Sequence, residues 1–207
     1  MEAVLDLWLV RHGETEFNRT RRVQGKSDVP LNETGVRQAE VLAGRLKSLS
    51  FDEIHSSDLS RAYQTAKVCF PEANVKKDKR LREINLGIFE GRDWTTFDKE
   101  EQLQAGVWFM GPYDVPVPGG ESSDDLQRRG KAWLAGLPRE GRIIAFAHGG
   151  IIASLLYGFT GRPEPRHFGE PGGWGFQLKN TSISRLHISK SFATLETVND
   201  YAHLEEL

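Results

Sequence analysis

Two histidines stand at matched places in the sequence, each after a short apolar run and each directly before glycine. His12 follows the run Leu5–Val10 in "LVRHGETEFN", and His148 follows the run Arg142–Ala147 in "FAHGG". An imidazole nitrogen can act as a nucleophile near neutral pH, and glycine lets backbone amides approach a ligand closely. A single histidine at the end of a strand is usually structural. Two in matched positions predict a catalytic site.

Cationic and amide side chains near these histidines indicate the charge of the ligand. Arg11 precedes His12, Asn18 lies six residues after it, and Arg61 falls in the first turn of the helix predicted after "HSSDLS". Guanidinium groups match phosphate oxygens with paired hydrogen bonds. The N-terminus of the helix predicted after Gly149 would add partial positive charge. The pattern predicts a site for a phosphoryl group.

Phosphoryl transfer by a histidine also requires a proton donor for the leaving oxygen. Glu83, in "RLREINLGIFEGRDW", is the candidate because the apolar residues around it predict partial burial. An ion pair with Arg80 or Arg82 is the other interpretation of Glu83, and the spacing alone favours it. Glu14 and Glu90 are rival acids by the same test.

A metal site is the main alternative use of the two histidines. The sequence contains no HExxH helix, no CxxC pair and no nucleotide P-loop. His12, His148 and a carboxylate could in principle bind a metal ion, but Arg11 would repel the cation. We therefore predict neither a metal ion nor a cofactor.

Composition sets the class of protein. A chain of 207 residues with 27% charged and 38% hydrophobic residues fits one globular domain. The net charge of -2 provides no basic field for nucleic acid or an anionic membrane. The single cysteine, Cys69, excludes an internal disulfide and is expected to be a small buried hydrophobe. We expect a cytoplasmic protein without a membrane or nucleic-acid partner. Its oligomeric state stays open, with a homodimer as one option.

Short apolar runs alternate with helical patterns, which predicts an α/β domain with a largely parallel sheet. Apolar residues from Val36 to Leu49 recur at helical spacing, with Asn32 and Thr34 as candidate caps. Further strands are predicted in "FDEIHSS" and "RIIAFA", and a further helix in "DLSRAYQTAKVCF", opened by Asp58 or Ser60. Near the C-terminus "SISRLHIS" and "FATLETVN" alternate like two strands of a hairpin.

The segment 92–129 is less regular. It combines glycine and proline with five aromatic residues, Trp94, Phe97, Trp108, Phe109 and Tyr113. One interpretation is a lid or substrate-facing insertion. The other, a satellite hydrophobic cluster under a long loop, explains the residues equally well.

Six blocks of sequence occur in an order that resembles one known family. The blocks are "LVRHGET", "QGKSDVPLNETGVRQAE", "SSDLSRAYQTA", "LREINLGIFEG", "PGGES" and "AHGG" with the later "NTSIS". Together they span the chain from Leu5 to Ser184 and resemble the histidine phosphatase superfamily, also called the phosphoglycerate mutase-like family. The resemblance implies a single domain, 1–207, folded as a three-layer α/β/α sandwich.

The resemblance also implies a covalent phosphohistidine intermediate formed without metal. It assigns His12 as the nucleophile, Arg11 and Arg61 as phosphate clamps, His148 as the histidine that stabilises the transferring group, and Glu83 as the proton donor. Four further residues are implied at the phosphate or at the mouth of the pocket: Asn18, Gln24, Gly25 and Gly149.

Within the family, the residues favour a phosphatase acting on small-molecule phosphomonoesters. The block at the donor glutamate reads "LREINLGIFEG", as in small phosphatases, where mutases carry an "ERHYG"-like block. "HGGIIASLL" is similar to the phosphatase branch, which includes α-ribazole phosphatase-like and broad-specificity members, whereas "YDVPVPGGES" is partly similar to the mutase lid. A phosphoglycerate mutase is the alternative. A catalytically inactive module that binds phosphorylated ligands is the second alternative.

Overall fold

The computed structural model describes residues 2–110, 113–162 and 175–205, and the side chains of these residues except 106–110. A six-stranded sheet runs through this part of the chain in the order β3-β2-β4-β1-β5-β6. The strands are β1 (Leu5–Arg11), β2 (Glu53–Ser56), β3 (Val75–Lys77), β4 (Gly141–Ala147), β5 (Ile183–Ile188) and β6 (Ala193–Asp200).

The strand pairing explains why the two histidines meet. β3, β2, β4 and β1 are parallel, and in the β1/β4 register Arg11 lies opposite Ala147. The next residues, His12 and His148, therefore leave the sheet at the same edge. β5 pairs antiparallel with β1 and with β6, which confirms the predicted C-terminal hairpin at one side of the sheet.

Helices cover both faces of the sheet, as predicted for a three-layer sandwich. The helices are α1 (Glu16–Arg19), α2 (Glu33–Leu46), α3 (Ser60–Cys69), α4 (Lys99–Met110), α5 (Ser123–Leu134) and α6 (Gly149–Thr160). Alternate residues of β4 face opposite layers because side chains alternate along a strand. Ile144 and Phe146 pack in a cluster with residues of α2 and α3, and Ile143 and Ala145 pack in the larger cluster with residues of α5 and α6.

The capping residues in the sequence predict the helix starts only in part. Asn32 caps α2, because its side-chain oxygen accepts a hydrogen bond from the Gly35 amide at 2.8 Å. Thr34 lies inside the helix, so it is not the cap. α3 begins at Ser60 after Leu59, which makes no side-chain cap. The Ser60 amide is bound instead by the Asp28 carboxylate at 2.7 Å.

The segment 92–129 divides into two structurally different parts. From Ser123 onward it is part of α5, whose Leu126 is buried in the main core. Before it, Trp94 stacks on Phe97 with ring centroids 5.2 Å apart, and Phe97 is buried in the same core cluster. The aromatic surface is thus continuous with the core at Phe97. The side chains of 108 and 109 lie outside the described residues, and movement of this segment as a lid stays a prediction.

Two smaller features complete the fold. In the described ranges, no helix has both the length and the apolar character needed to span a membrane. Cys69 is half-buried at the end of α3, and burial raises the pKa of its thiol to about 12, so the thiolate is scarce at neutral pH.

Candidate active site

His12 is fixed by the backbone at the end of β1. Its amide donates to the Ala147 carbonyl of β4 at 3.0 Å, and its own carbonyl accepts from the Asn180 side chain at 3.0 Å. The ring is 3% exposed, and its Nδ1 lies 2.7 Å from the Gly13 carbonyl oxygen. A carbonyl only accepts hydrogen bonds, so we assign the proton to Nδ1 and leave the lone pair of Nε2 available.

His148 is the residue that precedes the first turn of α6, and it is fully buried. Its ring centroid lies 5.1 Å from that of His12. Nδ1 of His148 accepts from Nε of Arg61 at 3.1 Å, which assigns the proton of this ring to Nε2. That Nε2 is buried and has no hydrogen-bond partner among the described residues.

Arg61, in the first turn of α3, joins the two histidines. Its Nε lies 3.3 Å from Nε2 of His12 as well as 3.1 Å from His148. Its two terminal nitrogens donate to the carbonyls of Ser27 and Gly25 at 2.7 and 2.8 Å. The guanidinium is fully buried, and these hydrogen bonds hold it in one orientation.

Arg11 supplies the second cation, which is partly buried. One terminal nitrogen donates to the Leu178 carbonyl, and the buried Nε has no partner in the described part of the chain. Burial lowers the pKa of Arg11, and it lowers the pKa of Arg61 to about 10, with the Glu83 carboxylate opposing both shifts. Both guanidinium groups remain charged at neutral pH.

The same environment keeps the two imidazoles neutral. Burial lowers the pKa of His12 well below its ordinary value, and the charges of Arg61 and Arg11 lower it further. The pKa of His148 falls in the same way, first through burial and then through Arg61. Neutral His12, which carries its lone pair on Nε2, is the form that can attack phosphorus.

Glu83 reaches the site from the segment before the short helix Gly87–Phe89. One carboxylate oxygen accepts from the Gly150 amide at 2.8 Å, and the other accepts from the amides of Ile151 and Ile84 at 3.2 and 2.9 Å. Gly150 and Ile151 form the first turn of α6, directly after His148. The structure therefore brings Glu83 to the predicted site.

The alternative interpretation of Glu83 as an ion-pair partner is wrong. Arg80 pairs with Asp78 at 2.6 Å, and Arg82 pairs with Asp58 at 2.6 Å. Both arginines are thus engaged by other carboxylates, which the spacing along the chain did not reveal.

The two rival acids have structural hydrogen bonds. The Glu90 carboxylate accepts from the backbone amides of 25–27 and of Leu86, at distances between 2.8 and 3.2 Å. The Glu14 carboxylate accepts from the Asn32 side chain at 2.8 Å. Glu90 stabilises the loop 25–27, whose carbonyls bind Arg61. Glu14 connects the segment after β1 to the start of α2.

Asn18 and Gln24 lie beside the site and share a partner. The Asn18 side-chain oxygen accepts from the Thr15 amide at 3.2 Å and from the Asn180 side chain at 3.3 Å. The Gln24 side-chain oxygen accepts from the Thr15 hydroxyl at 2.9 Å, while its buried nitrogen lacks a partner in the described ranges. Asn180 also binds the His12 carbonyl, so Asn18 is two hydrogen bonds from the backbone of the nucleophile candidate.

Of the two predicted glycines, Gly25 is closely packed, whereas a side-chain carbon at Gly149 would meet its neighbours at ordinary van der Waals distances. A side-chain carbon on Gly25 would lie 2.2 Å from the Glu90 carboxylate. One on Gly149 would lie 3.8 Å from Nε of Arg11 and 4.0 Å from Glu83. Gly149 therefore stands between the second cation and the proposed acid, which suits a backbone contact to a ligand.

Sequence reasoning missed two residues that position Glu83. A side-chain carbon on Gly150 would lie 2.4 Å from the Glu83 carboxylate, and the second glycine of "HGG" was its only signal. Arg129 of α5 donates to the carbonyls of Arg82 and Glu83 at 2.5 and 2.8 Å and pairs with Glu121 at 3.0 Å. A contact made across 46 positions leaves no local pattern.

The arrangement is that of an anion site. It combines one fully buried and one partly buried guanidinium group, two neutral imidazoles and one carboxylate at a helix N-terminus. Within the described ranges, no group of three or more His, Cys, Asp or Glu residues is arranged to hold a metal ion.

Known proteins are similar to this chain in sequence and in fold. A protein named "Probable phosphoglycerate mutase GpmB" from Proteus mirabilis is 36% identical over 99% of this chain and 97% of its own length. A "putative alpha-ribazole-5'-P phosphatase" from Escherichia coli superposes with a TM-score of 0.80 at 27% identity, over 96% of this chain and 97% of its own. A mutant phosphoserine phosphatase from Entamoeba histolytica, in complex with phosphoserine, gives a TM-score of 0.82 at 27% identity over 97% and 99% of the two chains.

The family model of the histidine phosphatase superfamily (branch 1) matches residues 7–201. This range contains all the residues of the site described above. The chain therefore belongs to the histidine phosphatase superfamily.

Proposed function

We propose that the protein is a phosphatase that hydrolyses small-molecule phosphomonoesters through a phosphohistidine intermediate on His12. The main support is a pair of buried N–H donors, Nε of Arg11 and Nε2 of His148, which lie near the Arg61 guanidinium and have no hydrogen-bond partner among the described residues. Buried donors are nearly always hydrogen-bonded, so these two N–H groups are suited to a ligand with several acceptor oxygens. A phosphoryl group supplies these oxygens and the negative charge. The proposal calls for no metal ion or cofactor.

In the first half of the reaction, the neutral Nε2 of His12 attacks phosphorus in line with the leaving oxygen. As the N–P bond forms, the bond from phosphorus to the leaving oxygen breaks, and Glu83 donates a proton to that oxygen. Arg11, Arg61 and His148 stabilise the charge on the three remaining oxygens.

In the second half, a water molecule attacks the phosphohistidine. Glu83, now ionised, accepts a proton from that water while the N–P bond breaks and His12 becomes neutral again. The amides of Gly150 and Ile151 hold the carboxylate in place for both steps. Inorganic phosphate is the product.

Two observations support hydrolysis over the mutase reaction: the sequence block around Glu83 and the names of the structural neighbours. The sequence around Glu83 is similar to that of small phosphatases, and two of the matching structures carry phosphatase names. A phosphoglycerate mutase remains the second candidate, because the relative at 36% identity carries that name.

Product analysis with a panel of phosphomonoesters tests the proposal. We expect release of inorganic phosphate by the wild-type protein and none by His12→Ala. His187→Gln is the control, since this histidine lies opposite Asp6, at the far end of β1. Exchange of phosphate between phosphoglycerates without net release would support the mutase instead. Ligand binding without turnover or phosphoenzyme would support the inactive module.

A further inference from the structure

A cavity of about 270 Å³ lies beside the proposed phosphate pocket. Asn18 and Gln24 line it, and both are hydrogen-bonded to the Thr15 hydroxyl. Gly25, the next residue after Gln24, gives its carbonyl to Arg61. The cavity therefore begins where the phosphate pocket ends, in the place available to the rest of a substrate.

The walls of this cavity indicate the size and polarity of its occupant. Its apolar lining consists of Phe17, Val23, Leu86, Phe89, Trp94 and Ala105. A volume of about 270 Å³ is many times the space that a single water molecule needs. An apolar, ring-sized group fits this space better than a group of three or four atoms.

Two arginines, Arg21 and Arg22, line the same cavity and are exposed. The Arg22 guanidinium lies 5.7 Å from the centre of the Phe17 ring, along the cavity wall. Across the described part of the chain, neither guanidinium takes part in an ion pair or a side-chain hydrogen bond. Two unpaired cations beside an apolar cavity favour an anionic group on the occupant.

The nearby carboxylates are engaged elsewhere. Glu16 pairs with Arg19 at 2.5 Å, and Asp93 accepts from the amide and hydroxyl of Thr95 at 2.8 and 2.7 Å. The pKa of Asp93 is lowered, first by the Thr95 hydrogen bonds and further by the charges of the two cavity arginines. Its carboxylate is thus charged, but it does not pair with either arginine.

The backbone at Arg21 supports a ligand-binding role. Its φ is +54°, a left-handed conformation that is unfavourable for a non-glycine residue. The carbonyl of Arg21 accepts from the Trp94 amide at 3.3 Å, and the Val23 amide donates to the Arg92 carbonyl at 2.8 Å. Such strain persists where surrounding contacts impose it, and it clusters at ligand sites.

We propose that the substrate's leaving group combines an apolar, ring-sized body with a second anionic group, which Arg21 and Arg22 bind. This inference rests on the proposed phosphatase function, because it assigns the cavity to the part of the ester that departs as the alcohol. Phosphate on one side and the second anion on the other would orient the ester between them.

Binding of non-hydrolysable phosphonates tests this inference without turnover. Calorimetry would compare benzylphosphonate with its 2-, 3- and 4-carboxy derivatives. We expect the best carboxy isomer to bind about tenfold more tightly, the range of charge-assisted hydrogen bonds. In Arg21→Gly and Arg22→Ala this preference should fall below about threefold. Arg19→Ala, in the same segment but outside the cavity, should retain it.

The choice of glycine at position 21 guards against misfolding, since glycine adopts a positive φ without strain. Equal affinity of the wild-type protein for all four phosphonates, or an unchanged preference in both variants, would overturn the inference. Carboxylate preference together with failure to hydrolyse any ester would reject the proposed function alone. No binding of any phosphonate would reject both.

Discussion

The proposed phosphate pocket, formed by Arg11, His12, Arg61, His148 and Glu83, differs sharply from the cavity beside it. Its two histidines and Arg61 are at most 3% exposed, and strand ends and helix starts hold them. The cavity is lined by loops and short helices, and its Trp94 is 37% exposed. We infer that the sheet edge positions the reacting groups, whereas the loops determine which substrate binds. The loops can therefore vary without moving the reacting groups.

Substitution of Arg61 is expected to have the largest effect. Arg61→Lys keeps a charge but cannot bridge both histidines and both loop carbonyls. We expect kcat/KM to fall by roughly 10²- to 10³-fold, about 3–4 kcal/mol, and by the same factor for every ester. Steady-state kinetics on small and large esters would check this. A loss confined to large esters would remove the distinction between the two regions.

Gly150→Ala should displace the acid while leaving the nucleophile in place. The new carbon would lie 2.4 Å from the Glu83 carboxylate. We expect kcat to fall about 10²-fold for alkyl phosphates and much less for 4-nitrophenyl phosphate, whose leaving group needs little protonation.

Gly44→Ala provides the matched control for that substitution. Position 44 lies in α2, and a side-chain carbon there meets no atom within 4 Å. Activity should be unchanged and the free energy of unfolding should rise by about 0.5–1 kcal/mol. Equal losses for both classes of ester in Gly150→Ala would contradict an acid role for Glu83.

The pocket also makes stability depend on pH. The pKa values of His12 and His148 are lowered in the folded state, so the unfolded chain binds more protons below pH about 6.5. The free energy of unfolding should therefore fall as pH decreases from about 6.5, by up to about 1.4 kcal/mol per pH unit for each ring. Denaturant titrations would measure this slope, and His148→Gln should reduce it. An identical slope in that variant would be evidence against the buried, neutral ring.

A cavity substitution should give the smallest effect. Trp94→Ala removes one aromatic wall, which is worth about 0.5–1.5 kcal/mol in such contacts. We expect a two- to tenfold lower kcat/KM for aromatic esters only. Ile88→Ala, at an exposed residue that does not line the cavity, should have no effect. Comparable losses on alkyl esters would show that Trp94 supports the phosphate pocket as well.

The sequence reveals the phosphate pocket far better than it reveals the cavity. His12 and His148 are recognisable because each ends a strand, and parallel pairing brings such ends together. For Glu83 the local residues favoured an ion pair, and only the folded chain shows Arg80 and Arg82 engaged elsewhere. The resemblance to the family, more than the spacing, indicated its role.

Features made by distant segments could not be read from the sequence. The Arg129 contact to Glu83 joins two segments far apart in the chain. The cavity depends on the packing of 17–24 against 86–105, and the positive φ of Arg21 has no glycine to mark it. For the same reason, the pattern of 92–129 did not show that α5 belongs to the core.

Trapping the phosphoenzyme tests the central claim most directly. The protein would be mixed with a labelled phosphomonoester, quenched rapidly in alkali, and digested for mass spectrometry. We predict an acid-labile, alkali-stable phosphoryl group on the imidazole of His12, absent from His12→Ala. A phosphoryl group located on another residue, or one that persists in His12→Ala, would contradict the account.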